Sequence, residues 1–184
     1  MKKILLTAAC LTFGVTSMFA QKYMTRTGKI SFNATVPASP EKIEGVNNEV
    51  ANIVDAKTGD VIFQVLVKSF KFERALMEEH FNENYMESDK FPKSDFRGKI
   101  NDVAGVNFSK DGTYNVKVSG KLTMHGVTKD VTVPGTVTVK GTSVILKAKF
   151  TLNLKEYNVV VPALVADKVA KDAVITLEST LAQK

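Results

Sequence analysis

Two histidines and a group of carboxylates are the side chains best suited to chemistry in this sequence. Glu78, Glu79, His80 and Glu83 lie close together on one segment and have the residue types of a fragmentary metal site. A metal site, however, needs three or four ligands at defined spacing, and this group offers one imidazole among carboxylates. His80 falls between Met77 and Phe81 on the same helical stripe. Packing against apolar neighbours with one hydrogen bond is therefore its plainest role, ahead of a polar contact near a ligand or metal ligation. His125 stands at a strand end beside Gly126, where it stabilises a turn or, alternatively, touches a ligand head group.

No G-x-S-x-G, Walker or dinucleotide-binding loop occurs. Cys10 is the only cysteine, and it lies in the first twenty residues. The chain is thus expected to be a binding protein rather than an enzyme, with no metal or cofactor.

The elements that would position these residues are strands. Apolar residues recur with period two, which puts alternate side chains on opposite faces of an extended chain. Tyr114, Val116, Val118, Leu122 and Met124 share one face, opposite Lys117, Ser119, Lys121 and Thr123. Val127, Val131, Val133, Val137 and Val139 repeat the pattern, as do Val144, Leu146, Ala148, Phe150, Leu152 and Leu154.

Earlier strands are expected over residues 30–36, 43–54, 61–72 and 96–100, and a last one over 173–181, about eight in all. Turn signals at Gly59, Lys110-Asp111-Gly112, His125-Gly126 and Lys140-Gly141 make sequential hairpins and an antiparallel meander. The segment 61–72 is apolar on both faces, so a barrel lumen on one side and the following helix on the other are expected to cover it. That helix, over 74–85, carries Leu76, Met77, His80, Phe81 and Tyr85 at spacings of three and four. A second short helical turn is expected after Pro162. From pattern alone, a barrel of this size is either packed solid or holds one small ligand.

Lys2-Lys3, followed by the apolar stretch from Ile4 to Ala20, has the layout of a secretion signal. Residues 1–20 are read as that signal, cut near Ala20, and residues 21–184 as one domain in the periplasm or outside the cell. Thr7-Ala8-Ala9-Cys10 has the form of a lipoprotein cleavage box, but too few residues precede it for the usual apolar segment. Of 25 basic residues, loss of Lys2 and Lys3 leaves 23 against 19 acidic, a mild excess of +4. No basic cluster is interleaved with aromatics, which argues against nucleic acid as a partner.

The run Val118-Ser119-Gly120-Lys121-Leu122-Thr123-Met124-His125-Gly126-Val127-Thr128-Lys129, with Phe91-Pro92 and Phe96 upstream, resembles the YceI-like family of exported bacterial proteins. The resemblance extends from Gly28 to the last strand, essentially the whole of the expected mature chain. It implies an all-β, lipocalin-like antiparallel barrel of about eight strands with one helix packed against it after the third strand. It also implies a long apolar cavity for an isoprenoid or similar lipid, for transport or sequestration.

On that reading Phe32, Phe63, Val65, Phe96, Val116, Leu122, Phe150 and Leu152 line the tail tunnel, and Met77, His80, Phe81, Tyr85 and Phe91 form its lid. The only bound group expected is the isoprenoid or acyl lipid itself. Transient contact with a membrane surface and a homodimer are further partner classes. The rival reading is a packed, ligand-free barrel acting as a structural or stress-related interaction protein. A metal- or quinone-dependent redox accessory would need redox groups that the sequence does not supply.

Overall fold

Long strands with one apolar and one polar face bury the apolar side by curling the sheet until its edges meet. The computed structural model describes residues 21–37 and 39–184; the expected signal, residues 1–20 with Cys10, lies outside the described residues. The strands are β1 (Lys22–Thr35), β2 (Glu44–Asp55), β3 (Asp60–Leu66), β4 (Lys93–Ile100), β5 (Gly112–Met124), β6 (Val127–Lys140), β7 (Ser143–Asn153) and β8 (Val169–Gln183). Each pairs antiparallel with the next and β8 returns to β1, closing an eight-stranded barrel in sequence order. The expected architecture, including a short helix after the third strand, is the one found.

The alternation read from β5 to β8 corresponds to inside and outside. Cross-strand pairs on the outer wall are polar: Thr113 with Thr138 at 2.9 Å, Ser119 with Thr132 at 2.9 Å, Lys121 with Asp130 at 3.0 Å and Thr123 with Thr128 at 2.8 Å. His125 and Gly126 form the two-residue β5–β6 turn with φ of 49° and 75°, the pair of positive angles that a type I′ hairpin requires. Gly59 and Gly141 also take positive φ, whereas Gly112 simply opens β5 after a longer β4–β5 connection.

Two elements depart from expectation. β1 begins eight residues before Ile30, the expected start, because register breaks around Gly28 interrupt its alternation. β3 ends at Leu66 instead of running on to Phe72, since a 3₁₀ turn at Val67–Ser69 changes the chain direction. As a result the helix does not cover the outer face of β3, where Ile62 and Leu66 stay exposed. The turn instead carries Phe70 and Phe72 to the barrel interior. The second helical turn, after Pro162, is the 3₁₀ turn Ala163–Val165.

Meander topology separates the two ends of the barrel. The β2–β3, β4–β5 and β6–β7 connections and the ends of β1 and β8 gather at one end; the long β1–β2, β3–β4 and β7–β8 connections gather at the other. The first end is filled by a cluster that includes Tyr23, Val54, Val106, Phe108, Val139, Val144 and Leu181. In it Tyr23 stacks on Phe108 with centroids 5.8 Å apart. This plug closes the barrel there.

Candidate functional site

Above the plug the barrel is hollow. A cavity of about 450 Å³ occupies the half next to the long connections. Val61, Ile100, Val137 and Leu146 belong both to the plug and to the cavity wall, so they form its floor. Inward positions of the strands supply the side walls because residues two apart on a strand share a face. Ile30, Phe32 and Ala34 from β1 and Ala173, Ile175 and Leu177 from β8 illustrate this.

All eight side chains read as tunnel residues, Phe32, Phe63, Val65, Phe96, Val116, Leu122, Phe150 and Leu152, line this cavity. Phe70, Phe72, Ile43 and Val159 also line it and were not foreseen. For Phe70 and Phe72 the missing signal was the turn at Val67–Ser69, which contains neither Gly nor Pro.

The lid is the segment α1 (Ala75–His80), which continues without a break into a π-helical turn at Phe81–Tyr85. The Met86 amide donates to the Phe81 carbonyl at 2.9 Å, the five-residue step that defines that turn. Met77, Phe81 and Tyr85 face the cavity. Phe81 is the hub of the contact. Its ring stacks on Phe32 at 5.2 Å, meets Phe70 edge-on at 5.4 Å and lies 4.9 Å from Phe72. The lid thus rests on lumen aromatics, not on the outer wall.

His80 lies on the lid but is not packed, and Phe91 lies off the cavity. His80 borders the cavity but is exposed, so it is a rim residue rather than a packed one. Phe91 does not line the cavity; its ring sits edge-on to His125, 4.7 Å between centroids, and close to Gly126. The path of the chain explains the second case: the hydrogen-bonded turn from Glu87 to Phe91 brings the lid segment back down to β4, leaving Phe91 against the β5–β6 hairpin.

His125 is buried, because positive φ at the turn folds its ring back against the barrel end. One ring nitrogen, Nδ1, lies 3.1 Å from the Tyr157 carbonyl and the other, Nε2, 3.0 Å from the Glu87 carboxylate. Both partners are acceptors, each placed to receive a ring N–H. His125 thereby ties the lid's return segment and the β7–β8 connection to the β5–β6 hairpin. Its turn-stabilising role is the one observed.

Ion pairs stand at and beside the cavity rim. Arg74 meets Glu41 at 2.5 Å and Lys71 meets Glu78 at 2.7 Å, exposed pairs worth at most about 1 kcal/mol each. Glu78 is thus engaged by Lys71 and by the Phe72 amide. Among the described residues no three His, Cys, Asp or Glu side chains are placed to hold a metal ion. Tyr157 is buried beneath the β7–β8 connection; burial and then the charge of Glu156 push its hydroxyl above the ordinary phenol range.

The arrangement is an apolar chamber with a floor, walls and an aromatic cover. What it can do chemically is exclude water from an apolar molecule.

Three solved structures share this fold. A polyisoprenoid binding domain from Saccharophagus degradans, described as implicated in plant cell wall breakdown, superposes with a TM-score of 0.76 at 10% identity, covering 89% of this chain and 98% of that one. BcnA of Burkholderia cenocepacia gives 0.68 at 21% identity, covering 84% and 96%. A YceI protein of Campylobacter jejuni gives 0.61 at 13% identity, covering 100% and 99%. No curated protein matches the sequence. The sequence pattern of the YceI-like domain, in contrast, matches residues 9–181, nearly the whole chain, and with the closed barrel and its helix it places the chain in the YceI-like domain family.

Proposed function

We propose that this protein holds the apolar chain of an isoprenoid or acyl lipid in the hollow half of its barrel, and carries or sequesters it outside the cytoplasm without altering it chemically. The observation that carries this reading is the cavity itself: about 450 Å³, inside the range of about 300–1,000 Å³ usual for small-molecule sites, with predominantly apolar walls. Each methylene buried there is worth on the order of 0.8 kcal/mol, so a long tail is held without charge pairing. The likeness to a polyisoprenoid binding domain supports the same ligand class. The Lys2-Lys3 segment and the apolar stretch after it support export. A solid, ligand-free barrel would need side chains filling this space, and the cavity weighs against it.

The test is native mass spectrometry of the protein purified from the envelope fraction of a bacterial host, followed by organic extraction. A stoichiometric long-chain lipid is the expected result. An apo mass that stays unchanged after incubation with isoprenoid quinones and fatty acids would refute the reading.

A further inference from the structure

Residues 159–166 read Val-Val-Val-Pro-Ala-Leu-Val-Ala, eight consecutive apolar positions in the β7–β8 connection. Val159 is buried and Val165 lines the cavity. Val161 is half-buried, and the other five turn outward: Val160 is 74% exposed, Leu164 is 90% exposed, and Pro162, Ala163 and Ala166 are exposed as well. The 3₁₀ turn Ala163–Val165 produces this split, directing Val165 to the cavity and its neighbour Leu164 away from it. A contiguous apolar run left in water does nothing for the fold and marks a surface that meets something apolar.

We propose that this loop is a membrane-docking surface, which inserts into the interfacial layer of a lipid bilayer and sets the cavity mouth against it. The proposal rests on the lipid-binding reading, since a long-chain lipid must be drawn from a bilayer and returned to one. Three observations favour a bilayer over a protein partner.

The first is position. Val165 and Lys168 both line the cavity, so the exposed run is continuous with the mouth and a tail passing between bilayer and lumen stays on apolar surface. The second is composition. The run holds no Tyr, Trp or Arg, the residues that anchor protein interfaces, and no side chain able to form a hydrogen bond. The third is charge. Lys155, Lys168 and Lys171 flank the run, but Glu156, Asp167 and Asp172 balance them. The driving force is therefore apolar area, and docking needs no anionic lipid and tolerates salt.

The test is flotation of the protein with phosphatidylcholine vesicles at low and high salt, alongside a Val160→Asp/Leu164→Asp variant. Ile62→Asp, an exposed apolar site on the outer wall of β3, serves as control. The wild type is expected to float in both salts and the double variant to lose roughly tenfold or more of its vesicle partition, while Ile62→Asp floats as the wild type does. Circular dichroism and extracted lipid content check that all three proteins fold and carry the same cargo.

Failure of the wild type to float, or equal flotation of the double variant, would overturn the proposal. So would binding that requires phosphatidylglycerol and vanishes in high salt. Loss of a dimer by the double variant with flotation unchanged would assign the run to a second copy of the chain instead. Loop-dependent flotation by a protein that yields no lipid on extraction would retain the docking surface and remove the cargo reading.

Discussion

Replacing Phe81 with alanine should loosen the lid while leaving the plug packed. The Phe81 ring makes three aromatic contacts, with Phe32 at 5.2 Å, Phe70 at 5.4 Å and Phe72 at 4.9 Å. At about 1 kcal/mol per aromatic pair, together with about 1 kcal/mol for the area of a half-buried side chain, the loss comes to about 4 kcal/mol. That corresponds to roughly a thousandfold in the equilibrium between closed and open lid.

Native-state hydrogen exchange reads this equilibrium directly. The reporters are the amides of Met86, Ser88 and Phe91, which donate within the segment to Phe81, Asn82 and Glu87. Val139→Ala, in the plug, is the control and costs about 2 kcal/mol of global stability. Phe81→Ala is expected to cut the protection of the three reporter amides steeply, and Val139→Ala to leave it unchanged. If Val139→Ala lowers it as much as it lowers the barrel strands, lid and plug are one cooperative unit and the separation drawn above is wrong. Unchanged reporter protection in Phe81→Ala would equally refute it.

Two further outcomes follow from backbone packing and from titration. Gly120→Ala should destabilise the barrel by about 3 kcal/mol and lower the thermal midpoint by about 10 °C, because a Cβ there would overlap the Arg97 carbonyl oxygen and the Gly98 Cα, both backbone. An unchanged midpoint would show that β4 and β5 part there at no cost. At alkaline pH, burial raises the hydroxyl of Tyr23, and burial with the Glu156 charge raises that of Tyr157, above the ordinary phenol value of about 10. The folded chain then keeps protons that the unfolded chain has released, so this stability is intact below pH 10.0 and lost as pH rises through the higher native values. The thermal midpoint should fall in that window, less steeply in Tyr157→Phe. A midpoint that is flat while tyrosinate absorbance grows would contradict this.

The parts of the fold legible in the sequence were those where one physical signal acted alone. β5 to β8 alternate cleanly because one face meets the lumen and the other water, and their tunnel residues could be named from parity. The stripe of Met77, Phe81 and Tyr85 was readable for the same reason, at helical period. Errors arose where two signals overlapped. The segment after Leu66 contains neither Gly nor Pro to mark the turn at Val67–Ser69, and Phe70 and Phe72 were not named among the cavity residues. Phe91 was grouped with the lid by its neighbourhood in sequence, whereas its placement is set by a long-range contact with His125. His125 itself was read only as a turn residue or head-group contact at a strand end. Burial depended on the conformation of the turn and on acceptors 32 and 38 residues away, which no local pattern records.

The division of the barrel interior into a packed half and a hollow half also bears on how this chain can change. Substitutions among Tyr23, Phe108 and Leu181 act on folding itself, since each deletes contacts in a close-packed cluster. Substitutions at Leu177, which lines the cavity and lies outside that cluster, act mainly on the shape of a space that is already empty. Mutational tolerance is therefore unevenly distributed along every strand, low toward one end and high toward the other. A new cargo shape is reachable by steps confined to the tolerant end, each of which leaves a folded protein on which the next step can act.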